Sequence, residues 1–233
     1  MLNPGRGMEA DTVVETPTLE VESTKRRQIL EGARRVFLAD GFDGASMNDI
    51  ARVAGVSKGT LYVYFDSKEA LFEALIRDDR KQQAERLVLH EAAADPRAAL
   101  AAFGRDLLAL MTQPEMMAQV RIVIAATAKF PNLGRAFYES GPCYGEIRVA
   151  ERLEAWRAAG LLSFADGRIA ARQFLDLCKS GVFSACLYGV TEAATPEAIG
   201  VTVDRAVDIF MRLYGASAAS ISPPSDAGAS VGA

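Results

Sequence analysis

Gly55 narrows the fold of this chain more than any other residue. It lies between Ser46 and Ser57, two hydroxyl residues that each precede a run with helical spacing. Ser46 is a good N-cap, and Asp49 occupies the third position of a capping-box pattern. Met47, Ile50, Ala51 and Ala54 then give a first helix its inner face. Glycine tolerates the left-handed backbone that a sharp helix corner needs, and Val56 is the apolar plug beside it. A second short helix runs over Ser57–Tyr64 with Leu61 inward. Two short helices around a tight corner make a helix-turn-helix, which needs a third helix to complete its core.

That third helix is expected ahead of the pair. It starts near the N-cap Thr24, carries Ile29, Ala33, Val36 and Phe37 at helical spacing, and stops at Gly41. Asp66 or Ser67 caps a fourth, whose stripe of Leu71, Phe72, Leu75 and Ile76 should continue to about Leu89. Proline marks the rest. Asp95-Pro96 opens a helix to about Met111, Pro114 another to Lys129, and Pro131 a long one toward Ala159 that Gly141-Pro142 should kink or break. Asp166 caps a helix to about Tyr188, and Thr195-Pro196 opens the last, to Tyr214. The reading is all-α, about nine helices in total: a three-helix head and a helical bundle body. Expected divisions are a disordered lead over 1–22, the head over 23–68, the body over 69–216 and a flexible tail over 217–233.

Charge is unevenly shared. The net charge is −4, yet Thr24–Lys68 holds eight Lys and Arg against five Asp and Glu, so the head has a surplus of three positive charges and the remainder seven negative. Such a polarity presents one end to phosphates and repels them elsewhere. The outward face of Ser57–Tyr64 agrees. Ser57 sits where backbone N–H groups favour phosphate, and Lys58 reaches a guanine edge or a phosphate. Gly59 permits close approach, Thr60 offers a hydroxyl, and Tyr62 contacts bases. Tyr64 and Lys68 lie where a flanking backbone would pass; Ser46 and Asn48 stand at the start of the preceding helix. An ordinary solvated face would account for Lys58 alone but poorly for two tyrosines beside a glycine and basic groups.

Residues Gln28–Leu75 resemble the DNA-binding head of the tetracycline-repressor (TetR) family of bacterial regulators. The matching pieces are Ile29, Leu30, Ala33 and Phe37; Gly41-Phe42; Ser46 with Ile50-Ala51; the run Ala54–Tyr62; Tyr64-Phe65; and Ser67-Lys68-Glu69 with Leu71. The resemblance implies that Ser46, Asn48, Lys58, Gly59, Thr60, Tyr62, Tyr64 and Lys68 occupy DNA-contacting positions. Val63 departs where members often carry an aromatic, and Tyr64 where histidine is frequent. The stretch Phe130–Pro142 is similar to AcrR-like members. That implies a body that binds a small effector and dimerises through its last two long helices, and a repressor on a palindromic double-stranded DNA operator.

The residues support this body in part. Gly181, Ala185 and Tyr188, with Val203, Ala206 and Phe210 from the apolar stripe of the last helix, are the expected dimer interface. The same stripe could instead pack the monomer core. Phe103, Leu107, Met111, Met117, Phe137, Tyr144, Trp156 and Phe174 are the candidate lining for a hydrophobic or amphipathic effector, or else plain core.

Other functions find little footing. The three cysteines, Cys143, Cys178 and Cys186, form no CxxC pair, and the one histidine, His90, has no metal-ligand spacing. No phosphate loop and no GxSxG occur, so neither an enzyme, a metal site nor a cofactor is expected. A scaffold whose head no longer binds DNA is the remaining alternative, and the intact Lys58–Tyr62 series counts against it. No signal peptide is visible, and the longest uncharged stretch of the body, Ser180–Thr191, has 12 residues, too short to span a bilayer. A cytoplasmic protein is expected.

Overall fold

The computed structural model describes residues 17–87 and 95–216. Each of the nine expected helices is present, and two are divided. Helix α1 is Pro17–Gly44, α2 Met47–Ala54, α3 Lys58–Tyr64 and α4 Lys68–Arg86. The body follows with α5 Pro96–Met111, α6 Pro114–Thr127, α7 Pro131–Tyr138, α8 Tyr144–Ala158, α9 Gly167–Lys179, α10 Val182–Leu187 and α11 Pro196–Tyr214. Among the described residues there is no strand, only a single bridge between Leu162 and Gly215. No helix among them is long and apolar enough to cross a membrane.

Four elements differ from the sequence expectation. Helix α1 begins at Pro17, ahead of Thr24, so 17–22 are helical and not part of a disordered lead; residues 1–16 lie outside the described ones, as do the tail 217–233 and His90. Proline starts a helix readily because the first turn has no use for its missing N–H. Gly41 takes φ 70° as a glycine stop should, yet the helix resumes for one more turn. Gly141-Pro142 does not break the chain of turns. A five-residue π-helical turn, Glu139–Cys143, joins α7 to α8 and widens the helix past the N–H that Pro142 lacks; Ser140 Oγ donates to the Ala136 carbonyl at 2.6 Å. The expected helix over 166–188 is broken instead at Gly181, where φ is 79°, giving α9 and α10.

Helices α1 and α2 cross so closely that only glycine fits at position 32. A Cβ there would stand 2.6 Å from the Ala54 Cα. Around this contact α1 supplies donors to the end of α2: Gln28 Nε2 to the Ala54 carbonyl at 2.7 Å and an Arg35 guanidinium N–H to the Val53 carbonyl at 3.0 Å. Phe37, Ile50, Leu61, Leu71 and Phe72 fill the head core, and Val123, Ala126 and Leu133 from α6 and α7 belong to the same cluster. The head is therefore seated on the body through shared apolar packing. A second core joins α5, α8, α9 and α11 around Leu153, Phe174 and Phe210. All three cysteines are free; Cys178 is buried in this second core, and burial pushes its thiol up to about 12.

Gly32→Ala tests the crossing. Alanine gains about 1 kcal/mol of helix propensity over glycine, but overpacking against the Ala54 backbone costs about 1–3 kcal/mol. The expected outcome is a lower urea midpoint; an unchanged or higher midpoint would show that the helices part without penalty.

Candidate nucleic-acid interface

Three side-chain caps and one glycine fix the head's outer surface. The Ser46 hydroxyl accepts from the Asp49 N–H at 3.1 Å and donates to the Asp49 carboxylate at 2.6 Å. That bond and the Arg52 guanidinium at 3.0 Å hold the Asp49 carboxyl below its usual range. At the far end of α2, Gly55 takes φ 67°, ψ 36°. The Val56 N–H returns to the Ala51 carbonyl at 3.0 Å and the Gly55 N–H to the Arg52 carbonyl at 3.2 Å. This paired closure satisfies carbonyls that the helix end would leave open. Ser57 then caps α3, accepting from the Thr60 N–H at 3.0 Å. Ser67 does the same for α4 through the Ala70 N–H at 3.1 Å.

Leu61 is the buried residue of α3, Thr60 and Tyr64 are half-buried, and the other residues of the helix are exposed. Ser57, Lys58 and Gly59 are exposed, Tyr62 is 40% exposed and Val63 81%. Lys58 Nζ lies 5.9 Å from the centre of the Tyr62 ring, one turn on. The hydroxyls of Ser57 and Thr60 bond each other at 2.8 Å. A Cβ on Gly59 would meet nothing nearer than Ser57 Oγ at 3.8 Å, so nothing inside the fold requires glycine there. Asn48 is exposed at the start of α2 and Ser46 half-buried beside it.

Two expected members are held within the fold. Lys68 Nζ donates to the Phe42 carbonyl at 2.7 Å and the Ala45 carbonyl at 3.0 Å, and lies 4.6 Å from the centre of the Phe42 ring. It closes the end of α1 and is not a free cation awaiting phosphate. Tyr64 is half-buried and packs against the head core.

The expected effector lining does not converge on one cavity. Phe103, Trp156 and Phe174 are buried in the second core with Leu107 against them, and Met117 sits in a separate cluster with Met116 and Cys186. Met111 is half-buried, and Tyr144 is 46% exposed. Phe137 borders a small cavity between α1, α4, α6 and α7. The expected dimer stripe is corrected in the same way. Val203, Ala206 and Phe210 are fully buried against α5 and α9, so they hold the monomer together. Apolar side chains exposed on α11 are Val201, Ile209 and Leu213; Ile169 is exposed on α9 and Tyr188 after α10, while Gly181 is exposed and Ala185 half-buried.

A polar seam between head and body is absent from the expected set. Arg34 of α1 pairs with the buried carboxylate of Asp79 on α4, and Gln119 of α6 donates to the same carboxylate. Arg80 donates to Gln119 Oε1 at 2.7 Å and to Met116 Sδ at 3.1 Å, and stacks 4.6 Å from the centre of the Phe137 ring. A sign of it was present in the sequence: Asp79 and Arg80 continue the inner stripe of Leu75 and Ile76 one turn later.

Known proteins share this arrangement. Residues 29–75 match the family described as bacterial regulatory proteins, tetR family, and residues 98–216 match the AefR-like transcriptional repressor C-terminal domain. The HTH-type transcriptional repressor Rv1474c of Mycobacterium tuberculosis is 29% identical over 164 residues, 70% of this chain and 82% of the relative. The solved flavonoid-responsive regulator FrrA is 37% identical, with a TM-score of 0.74 over 83% of this chain and 98% of its own. A TetR-family regulator of Mesorhizobium loti gives a TM-score of 0.78 at 26% identity, covering 86% of this chain and 100% of that one. These relatives are regulators of transcription, not enzymes.

Lys68→Met should lower stability, since hydrogen bonds from a charged donor contribute about 1.5–3 kcal/mol and this site is partly solvated, which favours the lower end. A urea titration that leaves the midpoint in place would show the two carbonyl bonds to be idle.

Proposed function

The chain belongs to the TetR family and is a DNA-binding regulator of transcription, and from that premise we propose that it is a repressor that binds a palindromic operator as a homodimer and leaves it on binding a small hydrophobic or amphipathic effector. The observation that carries the DNA contact is the exposure of Lys58, Gly59, Tyr62 and Val63 on α3 around its buried anchor, Leu61. Lys58 and Tyr62 face base edges in the major groove, with Val63 placed to meet a thymine methyl. Ser46, Asn48, Ser57 and Thr60 bring polar groups to the flanking phosphates. The absence of any internal need for glycine at 59 supports a need imposed from outside, close approach to the duplex. Tyr64 and Lys68 serve by shaping the head.

The two-fold pairing uses the outer faces of α9 and α11. Ile209, Leu213, Val201 and Ile169 are each about half exposed, and Tyr188 is 81% exposed. Val203, Ala206 and Phe210 support that face from behind. Dimerisation would set two copies of α3 at the spacing of successive major grooves, about 34–36 Å. For the effector, the likeness to the flavonoid-responsive regulator FrrA supports an aromatic compound. Helix α4 would carry its binding to the head, because Leu71, Phe72, Leu75 and Ile76 lie in the head core while Asp79 and Arg80 lie against the body.

Gel-shift titration on DNA upstream of the chain's own coding region tests the DNA contact. Lys58→Ala and Tyr62→Ala should each weaken specific binding by about 1–3 kcal/mol. Gly59→Ala should weaken it too while leaving the urea midpoint no lower. Unchanged affinity in all three would contradict the assigned face. For the dimer, Ile209→Asp with Leu213→Asp should give a folded monomer by light scattering and lose operator binding; a stable dimer would place the interface elsewhere.

A further inference from the structure

Arg80 is a buried cation whose surroundings do not neutralise it. Its residue is 8% exposed, and its Nε has no hydrogen-bond partner. The nearest carboxylate, Asp79, is engaged by Arg34 and Gln119. Arg34 pairs with Glu31 as well as Asp79, whereas Arg80, the more deeply buried of the two guanidiniums, has no ion pair of its own among the described residues. Desolvation pulls the Arg80 guanidinium down to about 10. Burying a charge without a full partner is costly, and natural folds keep such groups where they are used.

A π-turn and a small cavity adjoin the residues around Arg80. The π-turn rests on its stem: a Cβ on Gly141 would come within 3.0 Å of Arg80 Cδ. Single π-turns inside helices recur at binding sites because they interrupt regular packing. Asp79, Gln119 and Phe137 also line the small cavity between α1, α4, α6 and α7, whose other walls include Phe37 and Phe72. Its volume, about 10 Å³, holds about one water molecule. Phe137 links the two, since it both lines this crevice and stacks with the Arg80 guanidinium.

We propose that this seam is the effector site, with Arg80 as its recognition group, and that it takes a small aromatic anion: a ring between Phe72 and Phe137, and an acidic group on the free Nε of Arg80. The proposal rests on the ligand-responsive reading above and deepens it. A carboxylate bonded to Arg80 supplies the charge partner that the fold omits, and charge-assisted bonds to guanidinium are strong and directional. The closed crevice cannot admit a ring without displacing α4. Because α4 contributes Phe72, Leu75 and Ile76 to the head core, the head moves with it.

The test uses the full chain, its operator, and three acids, cinnamate, salicylate and 2-naphthoate, each beside its neutral amide. At least one acid should bind by calorimetry and release the operator, and its amide should bind about tenfold or more weaker. Arg80→Met should melt no lower than the parent, hold the operator, and lose the response to that acid. The inference is overturned if Arg80→Met melts several degrees lower, which would make Arg80 a structural strut. It is overturned as well if acid and amide act alike or if Arg80→Met responds as the parent does. Release by amides alone would keep the ligand-responsive reading and defeat the role of Arg80; a protein that stays on its operator against every acid and amide would defeat both.

Discussion

The burial of Leu61 in the head core is what allows the outer face of α3 to meet solvent. A helix of seven residues does not hold itself together in water, because nucleation is unfavourable and few bonds follow it. Burying one leucine contributes about 1.5–3 kcal/mol, and the Ser57 cap adds about 1 kcal/mol more. Those two terms, with the Gly55 corner that aims the helix, leave the side chains of Lys58, Tyr62 and Val63 and the bare backbone of Gly59 on its exposed face. The head behind them is stiff for a different reason. Gly32 lets α1 and α2 touch backbone to backbone, and Lys68, Gln28 and Arg35 tie loose carbonyls at the helix ends.

Much of this was legible in the sequence because it is local. Ser46, Ser57, Ser67, Asp95, Asp166 and Thr195 cap helices within a few residues of where pattern alone places them. What pattern could not supply is which neighbour a face meets. The stripe Val203, Ala206 and Phe210 has the same spacing whether it meets a partner or its own core, and α5 and α9 claim it. Lys68 reads as a surface cation until the chain folds back and offers it two carbonyls from the end of α1. Gly32 reads as a weak helix residue until α2 is laid across it. For the effector, Met and aromatic residues mark apolar packing of any kind, so Phe103, Trp156 and Phe174 could not be told from core by type.

The two halves of the molecule are joined by unlike contacts. Apolar packing of Phe42, Phe72 and Phe130 is broad and forgiving. The polar seam is narrow and specific, since each partner of Asp79 has one acceptable geometry. Exposed ion pairs such as Lys129 with Asp43 add little by comparison. The charge distribution follows the same division only loosely: the head has a surplus of three positive charges, while residues 69–216 have an excess of two negative ones.

Amide hydrogen exchange with and without an operator duplex tests the central claim most directly. We expect added protection on binding to concentrate in Ser46–Asn48 and Ser57–Val63, with the body's α8 unchanged. Protection confined to the body, or an α3 that exchanges identically in both states, would contradict the assignment of α3 as the element that reads DNA.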